Sequence, residues 1–171
     1  MNRRNFLKLM LFLPSLSFAK KVKRSKNLKL YNLHTKEKLI VKDTSKESLQ
    51  KVSHFLRDYR TNEVIDIDKE LVELLFELYH KTSKFGYMSV ISGYRSPTTN
   101  EYLRKHTDGV SKNSMHTKGK AVDIFLGSEK KVKQFAKEAK KLRKGGVGEY
   151  YTHKFVHIDT GRVRHWNDKK A

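Results

Sequence analysis

Apolar residues recur along the first half of the chain with two spacings, one typical of strands and one typical of helices. Residues 28–41 carry two apolar runs around a polar turn, which predicts a short β-hairpin. A capping sequence at residues 44–47 precedes apolar positions at helical spacing up to about Tyr59, which predicts an amphipathic helix. A second helix is predicted over residues 68–86.

The second half alternates short apolar runs with polar turns and helical stretches. A loop at residues 94–97 is expected between a strand and a helix, and the polar stretch 106–115 is expected to be a second loop. Strands are predicted at 87–92, 120–126, 147–151 and 154–159, and helices at 98–105 and 129–143. This order predicts an α+β fold with a small, mostly antiparallel sheet and helices packed on one side.

The amino terminus has a different pattern. Arg3 and Arg4 precede an apolar run at residues 9–16, which ends in small residues up to Ala19. The run is too short to span a bilayer, so residues 1–19 are interpreted as a cleaved signal peptide. The segment 3–8 resembles the twin-arginine export signal, which predicts a periplasmic or cell-envelope location. Residues 20–26 are expected to be a basic, flexible lead-in, and residues 27–171 a single domain.

The composition limits which residues could bind a metal ion and which partners are expected. The 171-residue chain has no cysteine, so a metal ion would need His, Asp or Glu ligands. Its formal charge is +20, and removal of Arg3, Arg4 and Lys8 with the signal leaves 35 Lys and Arg against 18 Asp and Glu, or +17. This charge predicts anionic partners. Outside the cytoplasm these are acidic cell-wall peptides or anionic envelope surfaces, and nucleic acid is not expected.

Three segments carry the candidate chemistry: residues 92–96, 114–123 and 155–161. Side chains of a strand alternate between its faces, so Asp123 lies opposite the apolar face of its strand, and His157 shares a face with Asp159. Neighbouring strands could therefore present Asp123 and His157 together, and His116 could complete the set from the preceding loop. Two histidines and one carboxylate leave the fourth position of a zinc ion open to water, as hydrolytic zinc requires.

These segments resemble the motifs of the D,D-carboxypeptidase and hedgehog-type zinc peptidases, and particularly the twin-arginine-exported murein endopeptidase K group. The likeness covers roughly residues 66–166. The resemblance implies a zinc peptidase fold over the single domain, with His116, Asp123 and His157 as the zinc ligands. It also implies that Arg95 binds the substrate and stabilises the developing oxyanion. Ser114 is expected to orient its loop and to contact the substrate.

The general base is less clear from the sequence. Several branches of this superfamily have an acidic residue three positions before the last histidine ligand, but Lys154 occupies that position here. Asp159 is the first candidate base, although it could instead orient a histidine ligand. Glu149 and His153 are the alternatives. The aromatic residues Trp166, Tyr94, Tyr150 and Tyr151 are interpreted as packing residues outside the site.

The resulting hypothesis is a zinc metallopeptidase that hydrolyses peptide bonds in peptidoglycan stems or cross-links. A carboxypeptidase that trims terminal D-alanine is a related alternative. A non-catalytic, zinc-containing wall-binding module is another, because Lys154 cannot accept a proton while it is charged. A nucleic-acid-binding protein that uses the lysine-rich face of the helix at 129–143 ranks last, since it would require loss of the export signal.

Overall fold

The computed structural model describes residues 27–82 and 86–168. The signal peptide and lead-in predicted for residues 1–26 lie outside these ranges, as does the expected end of the second helix at 83–85. The strands are β1 Leu28–Asn32, β2 Lys38–Val41, β3 Met88–Ser92, β4 Ala121–Phe125, β5 Gly146–Tyr150, β6 Phe155–Asp159 and β7 Arg164–Asn167. The helices are α1 Lys46–Phe55, α2 Lys69–Thr82, α3 Pro97–His106 and α4 Glu129–Leu142, with a 3-10 turn at Met115–Lys118.

The strands form one seven-stranded sheet in the order β2-β1-β3-β4-β6-β5-β7. The α+β class is confirmed, but the prediction of a small, mostly antiparallel sheet is wrong. β1 pairs with β3 in parallel across the two helices that separate them in sequence, and β5 pairs in parallel with β7, which the sequence analysis did not predict. The sheet is therefore mixed and extends over nearly the whole described chain.

Helices α1, α2 and α4 pack against one face of this sheet. The inward side chains of the central strands are fully buried there, including Val90, Ile124 and Val156. Strand pairing places these three opposite one another across β3, β4 and β6, so they form one apolar layer beneath the helices. No helix of the described residues is long and apolar enough to cross a membrane.

Serine side chains set the starts of three helices. Ser45, Ser96 and Ser128 each accept a hydrogen bond from a backbone N–H in the first turn of α1, α3 and α4, respectively. Pro97 follows Ser96 at the first position of α3, where a missing N–H costs nothing. The start of α3 is therefore sharply defined, and the loop that precedes it is held at a fixed end.

A buried carboxylate holds the same loop from below. Asp58, 1% exposed, accepts hydrogen bonds from the backbone N–H groups of Ser96 at 2.8 Å and Arg60 at 2.9 Å. Burial alone would raise the pKa of Asp58, but the hydrogen bonds from Thr99, Ser96 and Arg60 leave it below its ordinary value. The ionised carboxylate therefore joins the chain after α1 to the segment that delivers Arg95.

Candidate active site

A β-bulge at the end of β3 opens the site. Ser89 and Val90 pair with Phe125 and Ile124, but the register then shifts by one residue, so that Ser92 lies opposite Asp123. An extra residue of this kind changes the direction of the strand and of the side chains that follow. Ser92 is thereby brought to the face of the sheet opposite α1, α2 and α4.

Gly93 follows the bulge in a place without room for a side chain. A Cβ atom there would lie 2.5 Å from the carbonyl oxygen of Leu56 and 2.7 Å from its Cβ. The backbone can therefore approach closely enough for Tyr94 N to donate to Leu56 O at 2.7 Å. The Gly93 carbonyl in turn accepts a hydrogen bond from His116 Nδ1 at 2.6 Å. Close packing, rather than a left-handed backbone, accounts for this glycine.

The three predicted metal ligands meet on the face of the sheet opposite α1, α2 and α4. Asp123 and His157 are direct partners in the β4–β6 ladder, and their side chains share a face. His116 comes from the 3-10 turn, whose N-cap Ser114 accepts the His116 N–H through its hydroxyl at 3.3 Å. The turn ends at Gly119, which adopts the left-handed conformation with φ 65°.

The ligand atoms lie at distances that fit a metal ion. His116 Nε2 is 3.2 Å from both Asp123 Oδ1 and His157 Nδ1, and His157 Nδ1 is 2.9 Å from Asp123 Oδ1. Around tetrahedral zinc with bonds of about 2.0–2.1 Å, neighbouring ligand atoms lie about 3.3 Å apart. All three residues are buried, so the cluster is shielded from bulk water on its protein side.

The hydrogen bonds behind the ligands fix which ring atoms point inward. His116 Nδ1 contacts a carbonyl oxygen and His157 Nε2 contacts a carboxylate oxygen, so both must be N–H donors. In the neutral rings this leaves His116 Nε2 and His157 Nδ1 as lone pairs that face Asp123 Oδ1. Three acceptor atoms at this separation repel one another unless a proton or a cation lies between them. The donor set therefore fits a metal ion.

The electrostatic surroundings differ among the three ligands. Burial lowers the pKa of His116, so this ring is neutral at neutral pH. Burial also opposes the charged form of His157, but its hydrogen bonds to Asp123 and Asp159 raise its pKa. For Asp123, burial is outweighed by His116 and Arg95, so its pKa lies well below the ordinary value. A metal ion would therefore compete with a proton at His157.

Arg95 binds the ligand Asp123 at the carboxylate oxygen that faces away from the two histidines. Its Nη2 atom donates to Asp123 Oδ2 at 2.5 Å, and its Nε donates to Ser92 Oγ at 2.9 Å. The guanidinium thus leaves Asp123 Oδ1 free for a metal ion and occupies Oδ2. The side chain of Arg95 is 16% exposed and lines the cleft above the cluster. Its shortest contact is therefore with the candidate metal ligand Asp123.

Asp159 holds the ligand His157 through a hydrogen bond, as Arg95 holds Asp123. Its Oδ2 accepts from His157 Nε2 at 2.9 Å, and its two oxygens accept from Arg164 at 2.8 and 3.0 Å. Backbone N–H groups of Gly146 and Gly161 also donate to Oδ1. Burial opposes its ionised form, but the hydrogen bonds from His157 and Arg164 leave its pKa below the ordinary value. Asp159 is 0% exposed and does not line the cleft.

The structure places Glu149 away from the cluster, which removes it from the candidate bases. Glu149 pairs with Val156, so its side chain lies on the helix-covered face of the sheet. There its carboxylate accepts from Lys140 of α4 and, at 2.6 Å, from the Tyr151 hydroxyl. Its two oxygens thus bind partners within the core layer.

The turn between β5 and β6 contains the other two residues considered for proton transfer. His153 is exposed and lines the cleft, with its ring 6.4 Å from that of Phe155. Lys154 has a left-handed backbone with φ 58°, and its carbonyl accepts from Leu126 N at 2.8 Å. Of the three candidate bases, His153 alone reaches the cleft.

A cleft of about 440 Å³ lies over the cluster, and it includes residues that sequence reasoning left out. Trp166 of β7 packs its indole over Gly148, where an added Cβ would lie 2.5 Å from the ring. The Trp166 ring lies 5.3 Å from that of His157. Tyr150 also lines the cleft. The unpredicted strand β7 explains why Trp166 was missed; for Tyr150, the strand alternation already carried the signal.

A buried His-Asp-His cluster at the floor of an open cleft is the arrangement of a metal-dependent hydrolase. The family model described as peptidoglycan L,D-endopeptidase MepK matches residues 20–166, and the chain belongs to this family. It is 41% identical over 160 residues to the peptidoglycan L,D-endopeptidase MepK of Escherichia coli K12, covering 90% of this chain and 87% of that protein.

A relative from another genus shows the same likeness. The chain is 38% identical over 141 residues to the probable peptidoglycan L,D-endopeptidase MepK of Haemophilus influenzae, covering 79% of this chain and 75% of that protein. No solved structure matches the chain. The family assignment extends the likeness beyond the region 66–166 on which the sequence motifs rested.

The hydrogen bond from His157 to Asp159 generates a prediction about metal affinity. Asp159→Asn should weaken zinc binding by roughly 10- to 100-fold, because the amide orients His157 less strongly and lowers its basicity. The matched control is Glu149→Gln, which changes a buried carboxylate on the opposite face and should leave the affinity unchanged. Competition with a chromogenic chelator measures both, with circular dichroism as the check on folding. Equal zinc affinities of Asp159→Asn and the unaltered chain would contradict the role of Asp159 in orienting the ligand His157.

Proposed function

We propose that this chain is a zinc-dependent endopeptidase that hydrolyses L,D peptide bonds in peptidoglycan. The observation that carries the proposal is the convergence of His116 Nε2, Asp123 Oδ1 and His157 Nδ1 beneath an open cleft. The bond type comes from the names of the relatives, whose sequences align with most of this chain.

Zinc is the metal that fits the donor set best. Two imidazole nitrogens and one carboxylate oxygen suit a borderline-soft divalent ion, and the chain has no cysteine. Bound there, zinc would polarise the scissile carbonyl and lower the pKa of a water molecule. The protein itself supplies the fixed tautomers, through Gly93 and Asp159, and the orientation of Asp123, through Arg95.

The charge of the cleft supports an acidic peptide as the substrate. The Arg60 Cζ atom lies over the Tyr59 ring, 4.3 Å from its centroid, and the Tyr59 ring stacks on that of His34 at 3.8 Å. Arg60 makes no ion pair within the part of the chain that the structure describes. A guanidinium over an aromatic ring still has N–H groups that can bind a carboxylate. Stem peptides of peptidoglycan carry such carboxylates, and the formal charge of +17 that remains without the signal peptide favours their approach.

The proposed roles of the surrounding residues follow from their contacts. Arg95 and Asp159 position the ligands Asp123 and His157, and Arg95 also offers a positive charge to the substrate. Ser114 lines the cleft and holds the turn that carries His116. His153 at the rim is the candidate proton acceptor. An inactive wall-binding module would share the same ligands, so catalysis distinguishes the two functions.

We propose in addition that the chain acts in the cell envelope after twin-arginine export, which its amino-terminal pattern and the peptidoglycan substrate support. Replacing both Arg3 and Arg4 by Lys preserves charge but removes the paired guanidinium groups. The variant should be lost from the envelope fraction, as shown by blotting of fractionated cells. A control pair, Lys20→Arg with Lys21→Arg, should be exported normally. Unimpaired export of the twin-lysine variant would exclude this route.

The proposed activity predicts cleavage that depends on both the metal and the cluster. The mature protein should release new products from cross-linked muropeptides, and a chelator or His157→Ala should abolish them. Readdition of zinc should restore activity to the chelated protein only. Mass spectrometry of the products identifies the bond, because a carboxypeptidase would release D-alanine alone. A folded, zinc-loaded protein that binds muropeptides without cleaving them would instead establish the wall-binding module.

A further inference from the structure

The face of the sheet that carries the cluster needs a hydrogen-bond donor for the substrate. When water attacks a peptide carbonyl, negative charge develops on its oxygen, and a preorganised donor stabilises that charge. Arg95 was the expected donor, but its Nη2 and Nε atoms already bind Asp123 and Ser92, so these two contacts leave Nη1 as its open nitrogen. Another fixed donor on this face would therefore complete the site.

Tyr150 is a candidate for this donor, because it lies on the face of the sheet that carries the cluster. It is the last residue of β5 and pairs with Phe155, while Gly148 pairs with His157. Alternation along the two strands places the side chains of Tyr150, Phe155 and His157 on the same face. Tyr150 lines the same cleft as the three ligands. Its ring stacks on Phe155 with a centroid distance of 4.3 Å and an interplanar angle of 7°, which fixes its position.

The hydrogen bonding of the Tyr150 hydroxyl leaves its proton available. Trp166 Nε1 donates to the Tyr150 oxygen at 3.0 Å, and an indole N–H can only donate. The hydroxyl proton of Tyr150 must therefore point elsewhere, and it meets no acceptor among residues 27–82 and 86–168. The donor contact from Trp166 also polarises the hydroxyl and strengthens it as a donor.

The hydroxyl keeps its proton at neutral pH. Burial raises the pKa of Tyr150, and the hydrogen bond from Trp166 offsets this only in part. The negative charge of Asp123 raises it further. Tyr150 is thus suited to donate a hydrogen bond and unsuited to act as the general base.

We propose that Tyr150 is a catalytic residue whose hydroxyl donates a hydrogen bond to the carbonyl oxygen of the scissile peptide bond as that oxygen becomes negatively charged. Trp166 acts as a positioning residue by orienting the hydroxyl. No proton leaves Tyr150 and no covalent bond to it forms. The inference rests on the proposed peptidase function and adds to it a donor that the sequence motifs do not contain.

Tyr150→Phe tests the proposal, because it keeps the stacked ring and removes only the hydroxyl. Loss of one oxyanion donor should lower kcat on cross-linked muropeptides by about 10²- to 10³-fold, with KM within about twofold. The matched control is Tyr151→Phe, which deletes the neighbouring hydroxyl on the opposite face and should leave kcat unchanged. Melting temperature and zinc stoichiometry of both variants show that the fold and the metal site are retained.

A binding measurement gives a readout that is independent of turnover. A phosphinate peptide presents a charged oxygen like that of the tetrahedral intermediate, whereas a peptide with a reduced CH2–NH bond lacks that oxygen. Titration calorimetry should show that Tyr150→Phe weakens binding of the phosphinate by at least tenfold and leaves the reduced peptide unaffected.

The possible outcomes separate this proposal from the proposed function. If the unaltered protein cleaves muropeptides and Tyr150→Phe does so equally well, Tyr150 is not the donor and the peptidase function stands. A raised KM with unchanged kcat would make Tyr150 a general binding residue and would also overturn the proposal. If the unaltered protein neither cleaves muropeptides nor binds the phosphinate, the peptidase function and the role of Tyr150 both fail.

Discussion

The structure of the site depends on one electrostatic constraint, the convergence of three acceptor atoms in a buried place. His116 Nε2, Asp123 Oδ1 and His157 Nδ1 lie between 2.9 and 3.2 Å from one another. Each ligand is held there by a partner on its far side: the Gly93 carbonyl behind His116, Arg95 behind Asp123, and Asp159 behind His157. The fold thereby holds three mutually repelling atoms together, and the arrangement becomes favourable when a cation binds between them.

One face of the sheet forms the hydrophobic core, and the other carries the candidate active site. On one face, the apolar side chains of the central strands pack beneath α1, α2 and α4. On the other, the bulge in β3, the β4–β6 register and the close packing of Trp166 over Gly148 bring polar groups to a cleft. The adjacent residues Glu149 and Tyr150 show the division. The first binds Lys140 in the core layer, and the second lines the cleft.

Sequence patterns predicted most of the elements and the position of the cluster. Period-two alternation was enough to place Asp123 and His157 on one face, since both lie in short, regular strands. The same alternation, applied to β5, would have placed Glu149 on the apolar face with Val147 and Tyr150 on the face of the site. Strand order was not predictable, because the parallel β1–β3 and β5–β7 pairings join strands that are not consecutive in the chain. The ion pair of Asp159 could not be predicted either, because its partner Arg164 belongs to the unpredicted strand β7.

The central claim is that His116, Asp123 and His157 together hold one catalytic metal ion, and diffraction at the zinc absorption edge tests it most directly. The account predicts a single anomalous peak in zinc-loaded crystals, about 2.0–2.2 Å from the three ligand atoms, with a further position open to solvent. A peak elsewhere would contradict the account. So would a zinc ion at this cluster whose fourth position is filled by a protein side chain, because such a closed site is structural rather than catalytic.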